Sequence, residues 1–106
     1  MPKYMFQASY THEGAKAILK DGGTARRAAV EKAITALEGK LEAFYFAFGD
    51  SDVITIADLP DNVTAAALAL AVGQSGLATT RTTVLITPQE ADQATRKHVP
   101  YTPPGR

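Results

Sequence analysis

A few positions bring together side chains able to do chemistry. Asp50 and Asp52 stand two residues apart, a spacing that puts both carboxylates on one side of a strand. In a turn it lets them hold a cation or work as an acid–base pair. No nearby histidine or glutamate completes a ligand set, and Asx turn formation accounts for both residues without chemistry. His12 lies between Tyr10 and Glu13 where strand-like sequence gives way to helix-like sequence, and an imidazole there can act as a general base near neutral pH. An exposed residue in a first helical turn is the plain alternative. Gly22-Gly23-Thr24 precede a stretch carrying Arg26 and Arg27, so free backbone N–H groups, a helix dipole and two guanidinium groups would all favour an anion. The pattern lacks the lysine and glycine spacing of a P-loop, and a helix stop followed by a threonine cap explains it equally well. Tyr4, Tyr10, Tyr45 and Arg81 carry polar tips on long bodies, and those that face helices would line a small cleft; the alternative is that the rings fill the core. His98 belongs to a polar C-terminal stretch and reads as a surface residue. Ser9, Ser51 and Ser75 lie in no nucleophile-elbow context. The ligand-binding candidates are therefore Tyr10, His12, Tyr45, Asp52 and Arg81, with no catalytic residue assigned, no metal set and no cofactor.

These residues need elements to hold them. Residues 3 to 10 alternate with Tyr4, Phe6, Ala8 and Tyr10 on one side, the period of a strand. Thr11 caps a short helix with Glu13 in its first turn, and Asp21-Gly22-Gly23 stop it. A longer helix restarts at Thr24, with Val30, Ala33, Ile34 and Leu37 at three-and-four spacing and Arg26, Arg27, Glu31, Lys32 and Glu38 on the wet side; Gly39 is its natural stop. Residues 40 to 48 and 53 to 57 read as a hairpin of strands around Gly49-Asp50-Ser51-Asp52. Asp61 or Asn62 caps an alanine-rich, uncharged helix to about Val72, which is expected to be largely buried. Residues 79 to 87 form a threonine-rich last strand closed by Pro88. The order predicts an α+β fold: the ferredoxin-like β-α-β-β-α-β four-stranded antiparallel sheet with helices on one face. The domain is expected over residues 1 to 88, with 89 to 106 a C-terminal tail or short helix plus extended arm. Residues 53 to 57 are expected in an interior strand.

Composition narrows the partners. The chain has 106 residues, 11 Lys plus Arg against 11 Asp plus Glu, and no cysteine. Zero net charge removes the basic field on which non-specific nucleic-acid binding relies, and the absence of cysteine excludes disulfides and thiolate chemistry. The longest apolar run, residues 65 to 72, is far short of the roughly 20 residues of a membrane span. A soluble, cytoplasmic protein with neither nucleic-acid nor membrane partners is expected. Phe44, Phe46 and Phe48 fall on one side of their strand and Tyr45 on the other, so both faces need cover, and Phe46 is expected on the sheet's open face. Leaving three such rings wet forgoes on the order of ten kcal/mol. The expected cover is a second copy of the chain, a homodimer or higher homo-oligomer.

Thr11-x-x-Gly14, Gly39-Lys40-Leu41, Tyr45, Gly49-x-x-Asp52, the alanine- and leucine-rich helix and the strand around Arg81 to Thr83 together resemble the GYD-domain family. The family's tyrosine before the aspartate is Ser51 here. The resemblance implies similarity to dimeric α/β-barrel proteins, a group that includes cofactor-independent monooxygenases, haem-handling enzymes and lyases. Three functions stay open on it: binding of a small, partly apolar molecule, a cofactor-independent monooxygenase-like activity, or an oligomerisation module without a ligand.

Overall fold

The computed structural model describes residues 1–106. The chain runs β1 (Lys3–Tyr10), α1 (His12–Asp21), α2 (Gly23–Ala36), β2 (Lys40–Phe46), β3 (Val53–Asp58), α3 (Asn62–Gln74), β4 (Ala78–Leu85) and α4 (Pro88–Thr95). The strands form one antiparallel sheet in the order β2-β3-β1-β4, the α+β ferredoxin-like arrangement. β3 is interior, between β1 and β2, as its β-branched sequence requires. No helix is long and apolar enough to cross a membrane.

Local chemistry sets the element ends. Thr11 Oγ1 accepts the Gly14 N–H and Asp61 Oδ1 accepts the Thr64 N–H, capping α1 and α3. Thr87 and Glu90 form a reciprocal capping box around Pro88, so that proline opens α4 as well as closing β4. At the end of α2 the left-handed residue is Glu38, φ 63°, with the Gly39 N–H on the Ile34 carbonyl and the Glu38 N–H on the Thr35 carbonyl. This is a Schellman closure with a glutamate at the position glycine usually takes. Gly39 is needed for space instead: a Cβ there would lie 2.5 Å from the Asp58 carbonyl oxygen.

Pairing fixes the faces. Tyr4, Phe6 and Ala8 of β1 stand opposite Ala57, Thr55 and Val53 of β3, and Leu41, Phe44 and Phe46 of β2 stand opposite the same three. Ile34 of α2, Ala65 of α3 and Leu59 from the loop between β3 and α3 close over this side in one buried cluster with Tyr4, Phe6 and Leu41. Tyr4 is fully buried and its hydroxyl donates to Asn62 Oδ1 at 2.6 Å.

Phe46 therefore corrects the expectation from sequence. It lies on the helix side, edge-to-face with Phe44 at 5.4 Å and against Gly23, while Phe48 lies beyond the strand and is fully exposed. The cause is an irregularity between Leu41 and Ala43: Glu42 is an extra residue, so Leu41 and Phe44 share a face although they are three apart. The open face is instead made of Met5, Ala43, Tyr45, Ile54, Ile56 and Leu85, the alternate positions of the same ladders. At one end of it Lys3 Nζ bridges Asp58 at 2.9 Å and Glu42 at 3.1 Å.

A second correction concerns α3. Only Ala65 is buried, and Leu70 is 73% exposed. The helix packs against the sheet along one side, and nothing in the single chain reaches its other side.

Candidate functional site

Beneath α2 and α3 the sheet is not filled. A cavity of about 300 Å³ lies between them, floored by Phe6, Ala8, Val53 and Thr55 and walled by Val30, Phe44, Leu68 and Val72. Protein interiors otherwise pack to the density of organic crystals, so the space has a local cause. Ala8, Ala33, Ala69, Ala71 and Ala78 line it, small side chains where larger ones would meet. The alanine-rich sequence of α3 thus sets a cleft rather than a tight helix–sheet contact.

Few polar groups enter this apolar space. Tyr10 and Arg26 line it, together with Thr55, Thr80 and Ser75. Thr55 is buried. Tyr10 packs its ring beside Gly14, where a Cβ would sit 3.1 Å from the ring. Burial pushes the Tyr10 phenol above its ordinary value, the Arg26 guanidinium pulls it back, and Asp52 raises it again. The result is a phenol that stays protonated, and so able to donate, through the physiological range. Asp52 Oδ2 accepts the Tyr10 backbone N–H at 2.8 Å, and the Asp52 N–H donates to the Ala8 carbonyl at 2.8 Å. The hairpin is thereby fastened to the last residues of β1.

The five candidates from sequence do not converge. Tyr10 lines the cleft, and Asp52 accepts its backbone N–H. Tyr45, 69% exposed, and Arg81, which pairs with Gln7 in the ladder, lie on the sheet's other face. Arg81 donates to Ser51 Oγ at 3.2 Å, and Ser51 is buried. His12 is exposed at the first position of α1, and Asp50 and His98 are exposed as well. Arg26 was assigned to the wet side of its helix, yet it belongs to the cleft. The signal was present in the sequence: Arg26, Val30 and Ala33 stand at i, i+4 and i+7, one helical stripe. Thr55 and Thr80 gave no such signal, because threonine is common in any strand.

A family model described as GYD domain matches residues 4–95. The chain belongs to the GYD-domain family. No curated protein and no solved structure matches it. Within the GYD domain Thr11, Gly14 and Asp52 hold junctions together. Thr11 donates its hydroxyl to the Gly76 carbonyl at 2.9 Å and its N–H to the Leu77 carbonyl at 3.0 Å, and Gly14 lets that same Leu77 carbonyl approach α1 closely. Asp52 anchors the hairpin. Ser51 is buried, and its hydroxyl accepts from the Arg81 guanidinium at 3.2 Å.

Proposed function

We propose that the protein binds a small, partly apolar molecule in the cleft between the sheet and helices α2 and α3. The observation that carries this reading is the cleft itself, apolar over most of its wall with a few polar groups at defined places, the usual composition of a small-molecule site. A cavity of about 150 Å³ lined by Leu, Ile and Phe is enough to take up benzene. Here the volume is about 300 Å³, room for a bicyclic body.

The uncharged probe N-phenyl-1-naphthylamine tests it. Its fluorescence should rise on binding to the wild-type chain, and Ala69→Phe, which fills the cleft from α3, should abolish the rise while the fold persists by circular dichroism. A wild-type chain that leaves the probe dark, or an Ala69→Phe variant that binds it unchanged, would overturn the reading.

The assembly we propose is a homodimer joined through the open sheet face. Met5, Ile54, Ile56 and Leu85 are only half-buried there and Tyr45 is exposed, an apolar centre between polar ends of the kind that closed two-fold interfaces cover.

A further inference from the structure

Arg26 is a charge without a structural purpose in the fold. It stands in the first turn of α2, which holds no acidic residue and has no side-chain cap, and a cation there opposes the helix dipole. Its neighbour Arg27 pairs with Glu31 at 3.2 Å, but Arg26 makes no ion pair and no side-chain hydrogen bond. Asp21 shares a smaller adjoining hollow with it and is not within ion-pair distance. Arg26 is half-buried and lines the apolar cleft, with no anion of the chain paired to it. Tyr10 lines the same cleft, near enough for the Arg26 charge to act on its phenol. Asp52, whose charge also acts on the Tyr10 phenol, already has one oxygen on the Tyr10 backbone N–H.

We propose that the cleft selects an anionic amphiphile, a carboxylate on an aromatic or branched apolar body, with the carboxylate received by the Arg26 guanidinium and the Tyr10 hydroxyl. The proposal rests on the reading of the cleft as a small-molecule site and adds the charge of what enters it. Guanidinium donors match the two oxygens of a carboxylate in a planar fork, and the low polarity of the surrounding wall strengthens the pair. The apolar body fills the space between Phe6, Phe44, Val53 and Leu68. A cation would meet Arg26 unfavourably, and a fully apolar ligand would leave the guanidinium unpaired.

A matched pair of probes separates the two layers of the argument. Calorimetric titration of the full chain with 2-naphthoate and with 2-naphthylmethanol compares one apolar body with and without the charge. The wild-type chain is expected to bind the carboxylate about tenfold or more tightly than the alcohol, with an affinity that falls as sodium chloride is raised. Arg26→Leu should remove that preference by weakening the carboxylate relative to the alcohol, and Arg26→Lys should retain part of it. Arg26 makes no ion pair and no side-chain hydrogen bond that these variants would break, and thermal unfolding of each checks that the fold persists. Equal affinity for the two probes in the wild type, or a carboxylate preference that survives Arg26→Leu, overturns the anion proposal and leaves the cleft reading standing. Failure of both probes to bind overturns both.

Discussion

The Asp52 carboxylate and the Tyr10 backbone N–H meet at 2.8 Å, across a separation of 42 residues in sequence. The bond lies where β1 and β3 stop pairing, since Ala8 opposite Val53 is the last register pair. It gives the Tyr10 N–H a partner beyond the β3 ladder, and Tyr10 lines the cleft.

Asp52→Asn keeps a carbonyl oxygen able to accept that N–H, whereas Asp52→Ala leaves the donor unpaired. Urea unfolding should place Asp52→Asn close to wild type and Asp52→Ala lower by about 1–3 kcal/mol. Loss of probe binding in Asp52→Asn at unchanged stability would give the carboxylate a direct role in the site.

Gly14 tests the junction beneath Tyr10. A methyl group at this position would collide with the Leu77 carbonyl oxygen, which also accepts the Thr11 N–H at 3.0 Å. Backbone cannot yield as a side-chain tip can, so Gly14→Ala should destabilise by about 1–3 kcal/mol or more, although alanine is the better helix former. An unchanged melting temperature would show that α1 moves freely over the β4 entry.

Asp61 gives the fold a weak acid dependence of known sign. The Thr64 backbone N–H and then its hydroxyl, at 2.8 and 2.7 Å, hold the carboxyl below its ordinary value of 3.8. A group depressed in the folded state contributes stability above its unfolded pKa and loses it as pH falls through the folded value. Asp61→Asn retains a capping oxygen without the titration. Below about pH 4 the wild-type chain should therefore lose stability more steeply than the variant, and parallel acid arms would contradict the cap's contribution.

Ile56 stands at the centre of the open face, opposite Met5 on one neighbour and Ala43 on the other. If two copies meet there, Ile56→Asp would bury an unpaired charge at a cost of several kcal/mol. Sedimentation should find the wild-type chain dimeric at micromolar concentration and the variant monomeric or insoluble. A monomeric wild type would remove the proposed interface.

The element order, two helix caps and the interior position of β3 were legible in the sequence, because each depends on residues close together in the chain, whereas the threonine cap read at Thr24 is not formed and α2 starts at Gly23 without a side-chain cap. Thr11 and Asp61 cap within three residues, and the run Val53 to Ala57 is β-branched and free of proline, glycine and charge, as an interior strand requires. Which face of β2 meets the helices was not legible. The alternation of Phe44, Tyr45 and Phe46 is local, but the extra residue at Glu42 that shifts Leu41 onto their helix side is defined only by pairing with β3. The cleft belongs to the same class. Its alanines alone come from β1, α2, α3 and β4, and a vacancy shared by so many elements has no sequence pattern of its own. Arg26 shows both sides of the division: its stripe with Val30 and Ala33 could be counted along the helix, but that the stripe overlooks a space open to a ligand was decided only when α2 and α3 came to rest apart on the sheet.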